Sequence, residues 1–182
     1  MQLISRALFH LALLLLLCLL LPAFAACGDK EEVPDDMQEA AIETAPYHLY
    51  VPNTWLTTTA SGISGAKVNS EEDVANVTVT AYYPDAATTP AEYFENVCLP
   101  NYTATLTNFA RLTDLDGDTT LGGKDAKRYA FTYTLDGKVY QVMQIITAQG
   151  DMLYVLTYTA ISANYATYVE DVEAIRAHFT FR

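Results

Sequence analysis

Apolar and polar positions follow different periods in successive parts of the chain. Residues 7–21 form an almost unbroken apolar run behind Arg6, whereas residues 28–45 are dominated by Asp29, Glu31, Glu32, Asp35, Asp36, Glu39 and Glu43. From Tyr47 onward short alternations take over. Tyr47-His48-Leu49-Tyr50-Val51 is rich in strand formers and ends at Pro52 and Asn53, before Trp55. In residues 74–83, Val77, Val79 and Ala81 fall on one side and Thr78, Thr80 and Tyr82 on the other, the period of two of a half-buried strand. Residues 57–70 are small and polar and read as a loop carrying a short strand or turn.

Thr89-Pro90 predicts a helix start, because threonine caps the first N–H groups and proline at the first helical position loses a donor that had no partner. Tyr93 or Phe94 with Val97 and Cys98 supplies one apolar stripe, which Pro100 is expected to end. Residues 128–135 alternate, Asp136-Gly137 is a two-residue hairpin signal, and residues 138–148 run back as the partner strand. A second reversal at Gln149-Gly150-Asp151 leads into residues 152–160, whose bulky side chains on both sides predict a central strand. A last helix over residues 163–177 aligns Tyr165, Tyr168, Val169, Val172 and Ile175 and leaves Glu170, Asp171 and Glu173 outside. His178-Phe179-Thr180-Phe181 closes the chain as a short strand. The predicted fold class is therefore α+β, an antiparallel β-sheet flanked by helices.

The apolar run and the Phe24-Ala25-Ala26-Cys27 that follows resemble a bacterial lipoprotein signal. That resemblance implies removal of residues 1–26 and lipidation of Cys27 as the new N-terminus. An uncleaved membrane span and secretion without lipid are the alternatives, and all three put the rest of the chain outside the cytoplasmic membrane. Residues 27–45 are expected to be an acidic flexible tether with at most a helical turn near Met37, and residues 46–182 the folded domain. Beyond Ala26 nine bases face 22 acids, a formal charge of −13. Nucleic acid is excluded as a partner class, because phosphate binding needs clustered Lys and Arg. Cys18 lies in the signal and Cys27 is assigned to lipid, so Cys98 alone remains and the domain has no internal disulfide. No cofactor motif is present.

The residues from Tyr47 to Trp55, Leu121-Gly122-Gly123, Tyr154 to Ala160 and Ile175 to Phe181 resemble those of PsbP-like domains, found in a photosystem II extrinsic subunit and in bacterial lipoproteins of unassigned function. The resemblance spans residues 47–182. It implies an αβα sandwich and a non-catalytic accessory role, and it carries over no catalytic residue.

Candidate chemistry is sparse. Asp114, Asp116 and Asp118 alternate as the first ligands of a calcium loop do, but Thr119 stands where glycine is needed and Asp125 where a bidentate glutamate belongs. They are weak metal candidates. Nucleophilic catalysis would have to combine Cys98 or a serine with His48 or His178, none of which sits in a catalytic motif. The thirteen tyrosines could build a platform for glycan or peptide, although alternation along strands explains them as packing. Trp55 reads as a core plug. The sequence thus points to a lipid-anchored, extracytoplasmic accessory or binding protein that engages another envelope protein. The alternatives are a receptor for a small ligand, a cation (Ca or Mn) or a glycan, and an envelope hydrolase.

Overall fold

Period-two stretches of the sequence become the strands of one large antiparallel sheet. The computed structural model describes residues 32–59, 63–84 and 86–182; the apolar run and Cys27 lie outside them. The strands are β1 Met37–Glu39, β2 Tyr47–His48, β3 Tyr50–Pro52, β4 Trp55–Thr58, β5 Ser64–Val68, β6 Asn76–Tyr82, β7 Ala110–Arg111, β8 Gly117–Leu121, β9 Lys124–Leu135, β10 Lys138–Gln149, β11 Met152–Ile161 and β12 Thr180–Phe181. The main sheet runs β4-β5-β6-β11-β10-β9-β7, with β8 also on β9, while β1 pairs with β3 and β12 with β2. The meander is pinned by its turn, since Asp136 (φ 51°) and Gly137 (φ 75°) both adopt the left-handed conformation of a tight hairpin.

Alternation along these strands sends side chains to two faces. On the first face Val77, Val79, Ala126, Met143, Ile145, Tyr154, Leu156 and Tyr158 join Leu49, Val51, Val172, Ile175 and Phe179 in the larger core. Its cover is helix α3 Val169–His178 together with the two small strand pairs. On the second face Phe94 and Cys98 pack on Tyr129, Ile146 and Val155. These come from a helical segment made of α1 Pro90–Tyr93, a π-type turn Phe94–Cys98 and α2 Leu99–Thr105. Thr89 and Glu92 close a reciprocal capping box at its start.

The structure departs from the sequence expectation in several places, and residues 47–51, expected as one strand, divide into β2 against β12 and β3 against β1. Met37–Ala45, assigned to the tether, is ordered: β1 pairs with β3, and Ala40 and Ala45 are buried. The reason is non-local, because Glu39 accepts N–H bonds from Ala41 and Leu49, 3.0 Å each, and pairs with His48 at 2.6 Å. Pro100 does not end the helix. The Leu99 N–H reaches back five residues to Phe94, and the wider turn lets Pro100 sit in the first turn of α2, where a missing N–H is tolerated. The same turn shifts the phase of the stripe, so Phe94 and Cys98 are buried and Val97 is 45% exposed. Finally, residues 57–70 contribute to two strands, β4 and β5, rather than one.

Candidate functional site

The reactive side chains named from sequence are dispersed and tied into the fold. Asp116 accepts from Arg111 Nε at 2.8 Å and from the Ala130 N–H at 2.9 Å, Asp118 pairs with Lys127, and Asp114 lies in the 3-10 turn Thr113–Leu115. Among the described residues no three His, Cys, Asp or Glu side chains converge as a metal ligand set. Arg111 also stacks over Phe94 and Tyr129, 5.0 and 5.3 Å from the ring centres, and binds Glu95 at 2.9 Å. It therefore fastens the edge of the sheet to the helix, a role not visible in the sequence because its partners are remote.

Cys98 sits beneath the helix, and burial pushes its thiol up although the hydroxyls of Tyr93 and Tyr102 oppose that shift. A protonated thiol in this setting is a poor nucleophile at neutral pH. His48 and His178 belong to elements on the opposite face of the sheet. His178 Nδ1 donates to the Ala174 carbonyl at 2.9 Å, and His48 lies between Glu39 and Arg182, whose Nε donates to His48 Nε2 at 3.1 Å. Arg182 Nη1 also reaches the carbonyls of Glu43 and Ala45 at 2.8 Å each, so this cluster joins the two ends of the folded unit.

The tyrosines serve mainly as packing. Tyr47 stacks with Phe179 and meets Tyr154 edge-on, Tyr158 donates to the Tyr165 carbonyl at 2.7 Å, and Tyr133 stacks on Tyr140 across β9 and β10. Trp55 is buried as expected and adds a polar contact, Nε1 to Asp171 Oδ2 at 3.1 Å. Gln144 went unnoticed in the sequence. It is a buried polar residue between the Tyr102 hydroxyl and Thr157, and an inward-phased glutamine within Val-Met-Gln-Ile-Ile was its signal.

One accessible surface is the part of the second face that the helix leaves bare. Strand register aligns Leu56, Lys67, Asn76 and Thr159 in one row and Thr58, Gly65, Thr78 and Thr157 in the next. A groove of ≈ 350 Å³ lies here, lined by Thr58, Lys67, Glu71, Val74, Asn76 and Thr78 among others. The arrangement offers hydroxyls, one amide and one ammonium on an open strand surface, which suits binding better than bond-making.

No family model matches the chain and no curated protein matches it. Solved structures do. Cyanobacterial PsbP (CyanoP) from Synechocystis sp. PCC 6803 superimposes with a TM-score of 0.57 at 13% identity, covering 87% of this chain and 99% of that one. The domain has the PsbP-like fold. LpqN of Mycobacterium tuberculosis, described as involved in cell envelope biogenesis, shares it at TM-score 0.55 and 20% identity over 79% of this chain and 90% of its own. PA94 of Pseudomonas aeruginosa, a protein of unknown function, does so at 0.59 and 16% over 80% and 97%. Residues behind the sequence resemblance turn out to hold this PsbP-like fold together. Leu121 is fully buried, and Gly122 (φ +58°) turns β8 into β9 so tightly against Phe181 that an added Cβ would stand 2.7 Å from its ring.

Proposed function

We propose that this chain is a lipid-anchored, extracytoplasmic accessory protein that binds another envelope protein and performs no chemistry of its own. The observation that carries the reading is the N-terminal sequence, an apolar run followed by Phe24-Ala25-Ala26-Cys27, joined to a PsbP-like domain. Support comes from the geometry, in which Cys98, His48 and His178 are each engaged in packing or local bonding. The description of LpqN as involved in cell envelope biogenesis points the same way. Among the described residues no helix is long and apolar enough to cross a membrane. On this reading, attachment rests on lipid at Cys27.

Two lipid signals normally secure a protein to a bilayer, and a diacylglycerol thioether supplies two acyl chains from one residue. Crosslinking in intact membranes, followed by recovery of this chain, tests the reading. A reproducible envelope protein is expected, and repeated recovery of the chain alone overturns the proposal.

A further inference from the structure

The open half of the sheet ends in an edge whose geometry says what kind of segment would fit it. Strand β4 is terminal in the main sheet, and among the described residues no strand pairs with its outer side. The direction of its backbone groups follows from its neighbours. The Val68 N–H bonds to Ala75 in the direction of β6, so Lys67 and Gly65 point toward β4 and bind Leu56 and Thr58. Trp55 and Thr57 therefore face outward. The Trp55 carbonyl confirms this phase, because it accepts from Gln38 Nε2 at 2.8 Å, a side chain standing where a neighbouring strand would donate. Thr57 offers one N–H and one C=O at the next outward position.

Apolar side chains lie exposed among the polar ones along this edge, where Thr57 and Thr58 are also accessible. Leu56 is 45% exposed, Val74 in the adjoining groove 41%, and Ile63 at the start of β5 39%. The surroundings are acidic. Glu71, Glu72 and Asp73 lie in the β5–β6 loop, and Asp171 of α3 holds the Trp55 indole. Asp73 is fixed by Asn164 at 2.9 Å and Tyr168 at 3.1 Å, while Glu71 and Glu72 are exposed. Lys67 is the one cation among the described residues lining the groove.

We propose that the β4 edge and its groove take an extended, basic segment of the envelope partner as an added strand. This deepens the reading given under Proposed function and rests on it. Main-chain bonds to Thr57 would supply the pairing, apolar side chains of the segment would cover Leu56 and Val74, and its Lys or Arg would face Glu71 and Glu72. A second copy of this chain is a poor occupant, because its own formal charge is −12 and like charges oppose association.

The test uses the full-length protein in detergent and, as probe, an octapeptide of alternating lysine and valine, with an alternating glutamate–valine octapeptide as control. Expected are saturable binding of the basic peptide alone and a loss of affinity of about tenfold when ionic strength is raised from low to well above physiological. Thr57→Pro removes the outward donor, a change tolerated on an edge strand, and should abolish binding without lowering Tm. Glu71→Lys with Glu72→Lys should weaken binding about tenfold. Equal binding of both peptides, or unchanged binding to a folded Thr57→Pro protein, overturns the proposal. If Thr57→Pro unfolds the domain, unchanged binding to the double charge reversal overturns it. In crosslinked membranes, a partner captured equally by wild type and Thr57→Pro removes the edge proposal and leaves the accessory-protein reading standing. A wild-type chain that captures nothing removes that reading whatever the peptides do.

Discussion

Replacing Phe94 by alanine tests the π-type turn and the packing of the second face together. The ring is fully buried and lies parallel on Tyr129 with centroids 3.7 Å apart, beneath the Arg111 guanidinium. Truncating such a ring removes its transfer free energy and leaves a cavity, a loss of about 4 kcal/mol for a core phenylalanine. Val97→Ala, three residues on, changes a side chain that is 45% exposed and should stay within about 0.5 kcal/mol of wild type. Urea unfolding followed by far-UV circular dichroism separates the two. With a slope near 2 kcal/mol per molar, Phe94→Ala should lower the midpoint by about 2 M, and Tm should fall by about 8–16 °C. A Val97→Ala loss comparable to that of Phe94→Ala would refute the phase shift, and a Phe94→Ala loss below about 1 kcal/mol would refute the packing.

Cys27→Ser should release the chain from the membrane pellet and prevent incorporation of labelled palmitate; an unchanged pellet at the mature mass would end the anchor reading. Arg111→Ala strips Asp116 of its charged partner in a half-buried site and should cost about 2 kcal/mol, with Arg111→Lys recovering little because an ammonium cannot stack on both rings while holding two carboxylates. Thermal melts of wild type and both variants decide this, and a lysine variant as stable as wild type would contradict it. Burial pushes the Tyr102 and Tyr165 hydroxyls up to about 12, whereas an unfolded tyrosine titrates near 10. The stability tied to these raised values is whole below pH 10 and is lost as pH climbs from about 10 toward 12. Absorbance of tyrosinate should accordingly show Tyr102 and Tyr165 ionising only as the domain unfolds. Millimolar calcium should leave Tm unchanged, since Asp116 and Asp118 already bind Arg111 and Lys127; a rise of several degrees would revive the metal reading.

Local signals in the sequence foretold those elements whose causes are local. Asp136-Gly137 announces the hairpin because few other pairs accept two left-handed residues, and Thr89-Pro90 announces a helix because the cap, completed in the structure by Glu92, is satisfied within one turn. Elements stabilised from a distance escaped. Met37–Glu39 is three residues long and carries no alternation, and its order comes from Tyr50–Pro52 and from the contacts of Glu39 with His48 and Leu49. Pro100 misled because the rule that proline stops a helix assumes regular four-residue spacing before it. Candidate-site residues show the same divide. The alternating carboxylates of residues 114–118 look convergent in one dimension, yet Arg111 and Lys127 draw Asp116 and Asp118 into separate pairs. The open β4 edge could not be read from sequence, since being terminal in a sheet is a property of topology rather than of any one strand.

The seam made by Thr180–Phe181 against Tyr47–His48, sealed by Arg182, has a mechanical consequence. Start and finish of the fold share one clasp, so clipping the last few residues would loosen the first strands as much as the tail. For the same reason a bulky fusion at the C-terminus would strain this seam, whereas an insertion at the hairpin Asp136-Gly137 would leave it untouched.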